Sequence, residues 1–150
     1  MSILHQNTLN SPLEFEGITL HKGKKAKVRV LPASPNTGIV FKRVDLKSNN
    51  LVDANFNNVS DATLCTTISN NSGVSISTIE HLMAALYGKN VDNAIVELDS
   101  DEVPILDGSS KFFVDAIDSI GLKPSESPIK IIKVLKKIEI KNGSKKISIE

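Results

Sequence analysis

The segment LEFEGITLHKGKKAKVRVLPA, from Leu13 to Ala33, constrains the fold most, because it predicts two β-strands joined by a tight turn. Residues 27–31 alternate polar and apolar side chains, which is typical of a strand with one buried face. Gly23 lies at the turn, where a positive φ is easily adopted. A half-buried strand requires a sheet with a covered face, so the fold is expected to be built around one.

Further strands are predicted for IVFKRVDL, TLCTTIS, VSIS and NAIVELD, and a loop for residues 47–62. Ser77 and Glu80 form the capping-box pattern S-x-x-E, which predicts a helix from about Thr78 to Tyr87. Gly88 stands where a left-handed residue would end that helix. A second helix is predicted for KFFVDAIDSIG, after a loop that ends in a serine cap. Strands mixed with two helices indicate an α+β fold.

Domain organisation is predicted from the last part of the chain. Residues 1–123 are expected to form an α+β domain, and the Pro- and Ser-containing residues 124–128 a linker. Residues 129–150 predict a β-hairpin with Asn142 and Gly143 at its turn. Because an isolated hairpin is marginally stable in water, we expect it to open a second, truncated domain.

Composition excludes several functional classes. The net charge of +1 and an aromatic content of 4% without Trp argue against a nucleic-acid-binding protein. One cysteine, Cys65, forms no disulfide within the chain, which fits a reducing cytoplasmic location. No apolar run approaches the roughly 20 residues needed for a transmembrane helix, and the N-terminus lacks the pattern of a signal peptide.

Glu80 and His81 are adjacent in the first predicted helix and form the main candidate site. At about 100° per residue, His81 falls opposite the apolar stripe, beside Ala84 and Ala85. A solvent-facing side normally carries charged residues, so a second surface or a ligand is expected to cover this face. The predicted apolar stripe consists of Ile79, Leu82, Met83 and Leu86, with Tyr87 at its edge.

The residues alone leave two interpretations of this pair open. The capping box by itself explains Glu80, and a single His is more often structural than catalytic. In the functional interpretation a catalytic zinc takes about three protein ligands and a water, whose proton a neighbouring carboxylate accepts. The pattern H-E-x-x-H is absent, and the other histidines are His5 and His21. Spacing therefore predicts no complete metal site.

Three other polar residues have competing interpretations. Asp107 precedes a helix, where a turn or capping role is favoured over a functional one. His21 lies at a lysine-rich hairpin tip, which is either a solvated turn or a contact for an anionic substrate. Cys65 is predicted in the middle of a strand, buried rather than reactive.

Several stretches together resemble one enzyme family. They are GITLHKGKKAKVRVLPASPNTGIVFKR (17–43), ATLCTTI (62–68) and ISTIEHLMAALYGKNVDNAIVELDSDEVPILDGSS (76–110). In order and spacing they are similar to the UDP-3-O-acyl-N-acetylglucosamine deacetylases of lipid A biosynthesis in Gram-negative bacteria. The resemblance implies a zinc hydrolase that removes the N-acetyl group of this UDP-sugar lipid precursor. It also implies two similar domains, each a two-layer sandwich of a small, mostly antiparallel sheet with helices on one face, and a site between them.

The resemblance also implies roles for individual residues. Glu80 falls on the general base and His81 on the first zinc ligand. Leu64 and Cys65 correspond to a segment that lines the cleft, and His21 to a residue near it. Two supporting residues are implied: Thr78, which would position the metal-binding helix, and Asp107 of the P-I-x-D-G-S stretch.

Two departures from the family pattern stand out. The turn has His21-Lys22-Gly23 where the family usually has His-Thr-Gly. The other zinc ligands, a His and an Asp, and a second catalytic His belong to the family's second domain, beyond the 150 residues here. Residues 1–150 alone are therefore expected to bind zinc weakly and to turn over no substrate. Peripheral membrane contact through the acyl chain is a further expectation.

The alternative is a non-catalytic α+β module that binds a UDP-sugar or a protein partner. The reading frame beyond Glu150 separates the two, because an H-x-x-x-D pattern on a helix there would favour the enzyme.

Overall fold

The computed structural model describes residues 4–150, which form an α+β fold. The helices are α1 (Glu80–Gly88) and α2 (Lys111–Ile120), with a short 3-10 helix at Phe56–Asn58. The strands are β1 (His5–Leu9), β2 (Leu13–Ile18), β3 (Lys25–Pro32), β4 (Ile39–Arg43), β5 (Leu51–Asp53), β6 (Val59–Asp61), β7 (Thr67–Ser69), β8 (Ser75–Ile76), β9 (Ala94–Leu98), β10 (Leu122–Pro128), β11 (Ile138–Asn142) and β12 (Lys145–Ile149).

The central sheet has the strand order β2-β3-β9-β4-β5. Its pairs are antiparallel except for β4 and β9, which run parallel. The predicted hairpin is confirmed as β2 and β3, and Gly23 in its connection has a φ of 62°. Alternate β3 residues are buried, as the sequence pattern predicted.

One hydrophobic core joins this sheet to both helices. Leu82 and Leu86 of α1 and Phe113 and Ile117 of α2 belong to the same buried cluster as the inward residues of β3 and β9. Phe15 of β2 completes the contact, with its ring centroid 5.0 Å from that of Phe113 in an edge-to-face arrangement. The core therefore fixes α1, and with it the candidate site, against the sheet.

Alternate positions of the same strands carry charges. Glu97 on β9 pairs with Arg29 on β3 at 3.3 Å and with Lys42 on β4 at 2.9 Å. These cross-strand pairs lie at positions that alternate with the core residues, as the period of two in a strand requires.

Several local predictions are corrected. Residues 47–62, predicted as a loop, contain β5, the 3-10 helix and β6. The strand predicted for TLCTTIS is only Thr67–Ser69, in a small sheet of order β6-β7-β8. Strands β5, β6 and β7 have three residues each, too short for the alternation of polar and apolar residues to reveal them.

Residues 124–128, predicted as a linker, lie within β10, which pairs antiparallel with β1. Pro124 and Pro128 are compatible with this pairing because proline, which has no N–H to donate, is tolerated in edge strands. The division of the chain into domains at this point stays a prediction.

The C-terminal hairpin is confirmed as β11 and β12, whose two-residue connection is Gly143-Ser144, one position later than predicted. All of its residues are exposed. No helix in residues 4–150 has the length and apolar character needed to cross a membrane.

Candidate active site

Helix α1 begins without the predicted capping box, so that prediction is wrong. Its N-cap is Ile79, which makes no side-chain cap hydrogen bond, and Thr78 has a left-handed φ of 59°. The Ser77 hydroxyl donates instead to the carbonyl of Asp101 at 3.2 Å. Because neighbouring segments supply other partners, the helix starts at Glu80, two residues later than expected. Gly88 is its last residue, and the left-handed residue beyond it is Asn90, with a φ of 57°.

The Glu80 carboxylate is half-buried and anchored from another segment. The backbone N–H of Thr66 donates to its Oε2 at 3.0 Å. Among residues 4–150 this is its only hydrogen bond, which leaves Oε1 without a partner. The carboxylate is thus oriented by one oxygen and open to a proton donor at the other.

His81 follows in the first turn of α1 and is half-buried. Its imidazole makes no hydrogen bond within the described residues. The expected pair of alanines beside it is corrected: Ala84 is exposed, but Ala85 is 0% exposed and belongs to the core. The buried stripe is therefore rotated toward Ala85 and away from Met83, which is only partly buried.

The hairpin tip with His21 is tied to the start of α1 through Glu102, a residue that sequence reasoning missed. Glu102 is 0% exposed. Its Oε1 accepts from the His21 N–H at 2.9 Å and the Thr78 hydroxyl at 3.1 Å, and its Oε2 from the Lys22 N–H at 3.2 Å. The only signal in the sequence is an acid directly before the apolar run Val103-Pro104-Ile105. The His21 side chain itself is exposed.

An ion pair between Lys22 and Asp101 reinforces this junction. Burial would raise the pKa of Asp101, but the hydrogen bond and charge of Lys22, with the charge of Arg43, lower it below its ordinary value. Lys22 is thus already paired, which leaves Lys24 and Lys25 as the exposed cations of the tip that have no salt bridge within residues 4–150.

Leu64 and Cys65 lie in the irregular segment before β7, not in a strand as predicted. Leu64 is 82% exposed, and Cys65 is half-buried with its Sγ 3.8 Å from the Thr67 hydroxyl. The next residue, Thr66, supplies the N–H that holds Glu80. The structure therefore connects this segment directly to the candidate base.

Asp107 forms a local turn. Its carboxylate accepts from the backbone N–H and the hydroxyl of Ser109, each at 3.0 Å, and these bonds lower its pKa. It is exposed and makes no hydrogen bond to the other candidate residues in the described part of the chain. The favoured interpretation, a turn before α2, agrees with these contacts.

An open groove of about 470 Å³ lies beside Glu80. An apolar surface next to a carboxylate suits a ligand with both apolar and polar parts. The lining side chains include Val59, Ile68, Met83, Ala84 and Tyr87.

The described residues do not complete a metal centre. Within residues 4–150 no group of three or more His, Cys, Asp or Glu side chains is placed to hold a metal ion. A catalytic zinc takes about three protein ligands. His81 has the right chemistry for one of them, so these residues fit a part of such a centre and not the whole.

Comparison with known proteins agrees on one family. Residues 6–150 match the family model described as UDP-3-O-acyl N-acetylglycosamine deacetylase. Similar curated proteins, each named UDP-3-O-acyl-N-acetylglucosamine deacetylase, come from Pseudoalteromonas atlantica (46% identical), Teredinibacter turnerae (44%) and Shewanella frigidimarina (41%). Each alignment covers 95% of this chain and 47% of the relative. The chain thus spans about half the length of the curated relatives it matches.

Proposed function

The chain belongs to the UDP-3-O-acyl N-acetylglycosamine deacetylase family, and we propose that it provides one half of an enzyme that removes the N-acetyl group of UDP-3-O-acyl-N-acetylglucosamine. The observation that carries this proposal is the arrangement at the start of α1. Glu80 has one oxygen anchored by Thr66 and the other unpartnered, directly beside an imidazole that makes no hydrogen bond within the described residues.

Glu80 is proposed as the general base. Its Oε1 would accept a proton from a water molecule while Oε2 stays bound to the Thr66 N–H. The water oxygen then bonds to the carbonyl carbon of the acetyl group, and the C–N bond breaks as the proton is passed on to the leaving nitrogen, which gives acetate and the free amino sugar. Thr66 keeps the carboxylate in one orientation through this transfer, so less of its conformational freedom has to be lost during the reaction.

Zinc is the proposed cofactor, with His81 as one ligand. The other ligands would come from the part of the relatives' length that this chain does not cover. A bound zinc ion lowers the pKa of a coordinated water and polarises a carbonyl. The chain's own contribution is to fix His81: Leu82, the next residue, is buried in the core and holds the first turn of α1 in place.

His21, Leu64 and Cys65 are proposed to contact the substrate. Both segments are tied to the start of α1, one through Glu102 and the other through Thr66. This common attachment supports a shared site, although the side chains of His21 and Leu64 are exposed in the described residues. We propose a supporting role for Asp107, through the turn that precedes α2.

The proposed architecture is a two-layer sandwich with helices on one face of the sheet, followed by a second similar domain that begins with β11 and β12. The shared core of α1, α2, β3 and β9 supports the first part. The exposed isoleucines of the hairpin support the second. A cytoplasmic location and peripheral membrane contact through the acyl chain stay predictions.

Two measurements test the proposal. The protein extended to the full length of its relatives should release acetate from UDP-3-O-acyl-N-acetylglucosamine, and residues 1–150 should release none. Calorimetric zinc titration of residues 1–150 should show weak binding. Tight stoichiometric binding by this chain would contradict the incomplete site, and UDP-sugar binding by the extended protein without turnover would favour the non-catalytic module.

A further inference from the structure

Glu102 is a fully buried carboxylate that has no salt bridge within residues 4–150. Burying a charge is costly unless hydrogen bonds replace its lost hydration. Here three donors do so: the N–H groups of His21 and Lys22 and the hydroxyl of Thr78. Such charge-assisted hydrogen bonds are stronger than neutral ones, so both attachments are held firmly.

These donors come from two segments far apart in the sequence. His21 and Lys22 lie about 80 residues before Glu102, and Thr78 lies 24 residues before it. One segment carries the proposed substrate contact and the other leads into Glu80 and His81. Glu102 thus connects the two with a single side chain.

Thr78 adopts an unusual backbone conformation at this junction. Its φ of 59° is a genuine outlier for a β-branched residue, with a cost that the surrounding structure must offset. The bond from its hydroxyl to Glu102 Oε1, at 3.1 Å, is one such offset. Because Thr78 lies two residues before Glu80, its conformation sets the direction in which α1 leaves the junction.

We propose that Glu102 is a positioning residue that fixes His21 relative to Glu80 and His81. The effect of this positioning on activity rests on the proposed function, since those three residues matter for catalysis only if the site is catalytic. Glu102 acts through the backbone of His21 and the side chain of Thr78. Substitution of a residue needed only for folding would instead perturb the structure of the whole domain evenly.

The three histidines allow this to be tested on residues 1–150 without any assay of function. Imidazole NMR signals are compared between the wild type and Glu102→Gln, at a pH well above the pKa of about 6.5 typical of histidine. The Gln amide places an NH₂ group among N–H donors, so the junction should shift. We expect the signals of His21 and His81 to move and that of His5, on β1, to stay.

Glu97→Gln is the matched control, because Glu97 pairs with Arg29 and Lys42 away from the junction. It should leave the His21 and His81 signals unchanged. Unchanged signals in Glu102→Gln would overturn the proposal, and so would an equal shift of all three histidines in a folded protein. If Glu102→Gln does not fold, Thr78→Gly replaces it, since glycine adopts a positive φ freely. Its His81 signal should then move without unfolding, and an unmoved signal overturns the proposal.

A kinetic cycle in the extended protein separates this proposal from the proposed function. Glu102→Gln should lower kcat/KM by about 10²-fold, the loss expected from a misplaced catalytic group. Combined with His21→Ala, its effect should be less than additive, because the two changes disrupt one unit. Additive losses would contradict positioning through His21. An inactive wild type would instead contradict the proposed function, and the NMR comparison would still decide the role of Glu102.

Discussion

The chain contains two β-hairpins with similar local sequence signals and opposite environments. β2–β3 and β11–β12 each have alternating side chains and a turn glycine with positive φ, Gly23 at 62° and Gly143 at 58°. Ala26, Val28 and Val30 of β3 are at most 2% exposed. In the other hairpin Ile138, Ile140, Ile147 and Ile149 are 51–70% exposed. Local sequence therefore specifies a hairpin, and only the surrounding elements decide whether its apolar face is buried.

The tips of the hairpins differ in the same way. The tip of β2–β3 is held by Glu102 and by the Lys22–Asp101 pair. The tip of β11–β12 at Gly143 and Ser144 makes no hydrogen bond to other elements of the described chain. The tip that carries the proposed substrate contact is thus fixed by other elements, whereas the hydrogen bonds of the second hairpin within residues 4–150 are those of its own ladder.

The largest expected effect is at the base of the buried hairpin. Phe15→Ala should lower the free energy of unfolding by about 3–5 kcal/mol, because it removes a ring packed against Phe113 and leaves a cavity. Urea denaturation followed by circular dichroism measures this loss. A loss below about 1 kcal/mol, at the level of an exposed substitution, would mean that β2 is not part of the core.

An intermediate effect is expected at the junction between the tip of β2–β3 and α1. Thr78→Val keeps the side-chain shape and the backbone strain but removes the hydroxyl donor to Glu102. The loss should be about 1.5–3 kcal/mol, as for a hydrogen bond to a charged group. Thr78→Ser, which keeps the hydroxyl, is the matched control and should lose less. Equal stability of the Val and Ser variants would show that this hydrogen bond does not stabilise the folded protein.

The exposed hairpin should tolerate change. Ile147→Ala is expected to alter the free energy of unfolding of residues 1–150 by no more than about 0.5 kcal/mol, because the side chain is 70% exposed. The same denaturation experiment tests it. A loss as large as that of Phe15→Ala would show that the hairpin packs on the core in solution.

The smallest effect concerns pH. The pKa of Asp101 is lowered in the folded state, so its contribution to stability is present above the ordinary value of 3.8 and is lost as pH falls through the lower folded-state pKa. The difference in unfolding free energy between the wild type and Asp101→Asn should therefore shrink below about pH 4. Other carboxylates titrate in both proteins, so their effect on stability cancels when the two unfolding free energies are subtracted at each pH. A difference that stays constant on acidification would contradict the role of the Lys22–Asp101 pair.

Periodicity predicted the elements whose partners lie close in sequence. Both hairpins and the second helix were found in this way, and α2 ends at Ile120 with Gly121 as its C-cap, at a φ of 72°. The pairing of β1 with β10 was not predicted, because it joins segments more than 100 residues apart and β10 contains two prolines. Long-range pairing leaves little trace in a local pattern.

The candidate site was predicted only in part, because a local sequence pattern shows neighbouring residues and not contacts between distant ones. Glu80 and His81 are adjacent in the sequence, and resemblance to a family gave them roles. The capping box was wrong because Thr66 and Asp101, distant in sequence, compete for the same side chains. Glu102 was missed because its donors lie 24 to 81 residues away.

Glu80 is proposed as the catalytic base, in a part of the active site that this chain carries. Acetate release from UDP-3-O-acyl-N-acetylglucosamine by the extended protein tests it, with Glu80→Gln compared with Glu97→Gln. Loss of a general base should lower kcat by about 10²–10⁴-fold in Glu80→Gln, while Glu97→Gln stays at the wild-type rate. A Glu80→Gln variant that releases acetate as fast as the Glu97→Gln control would contradict the claim.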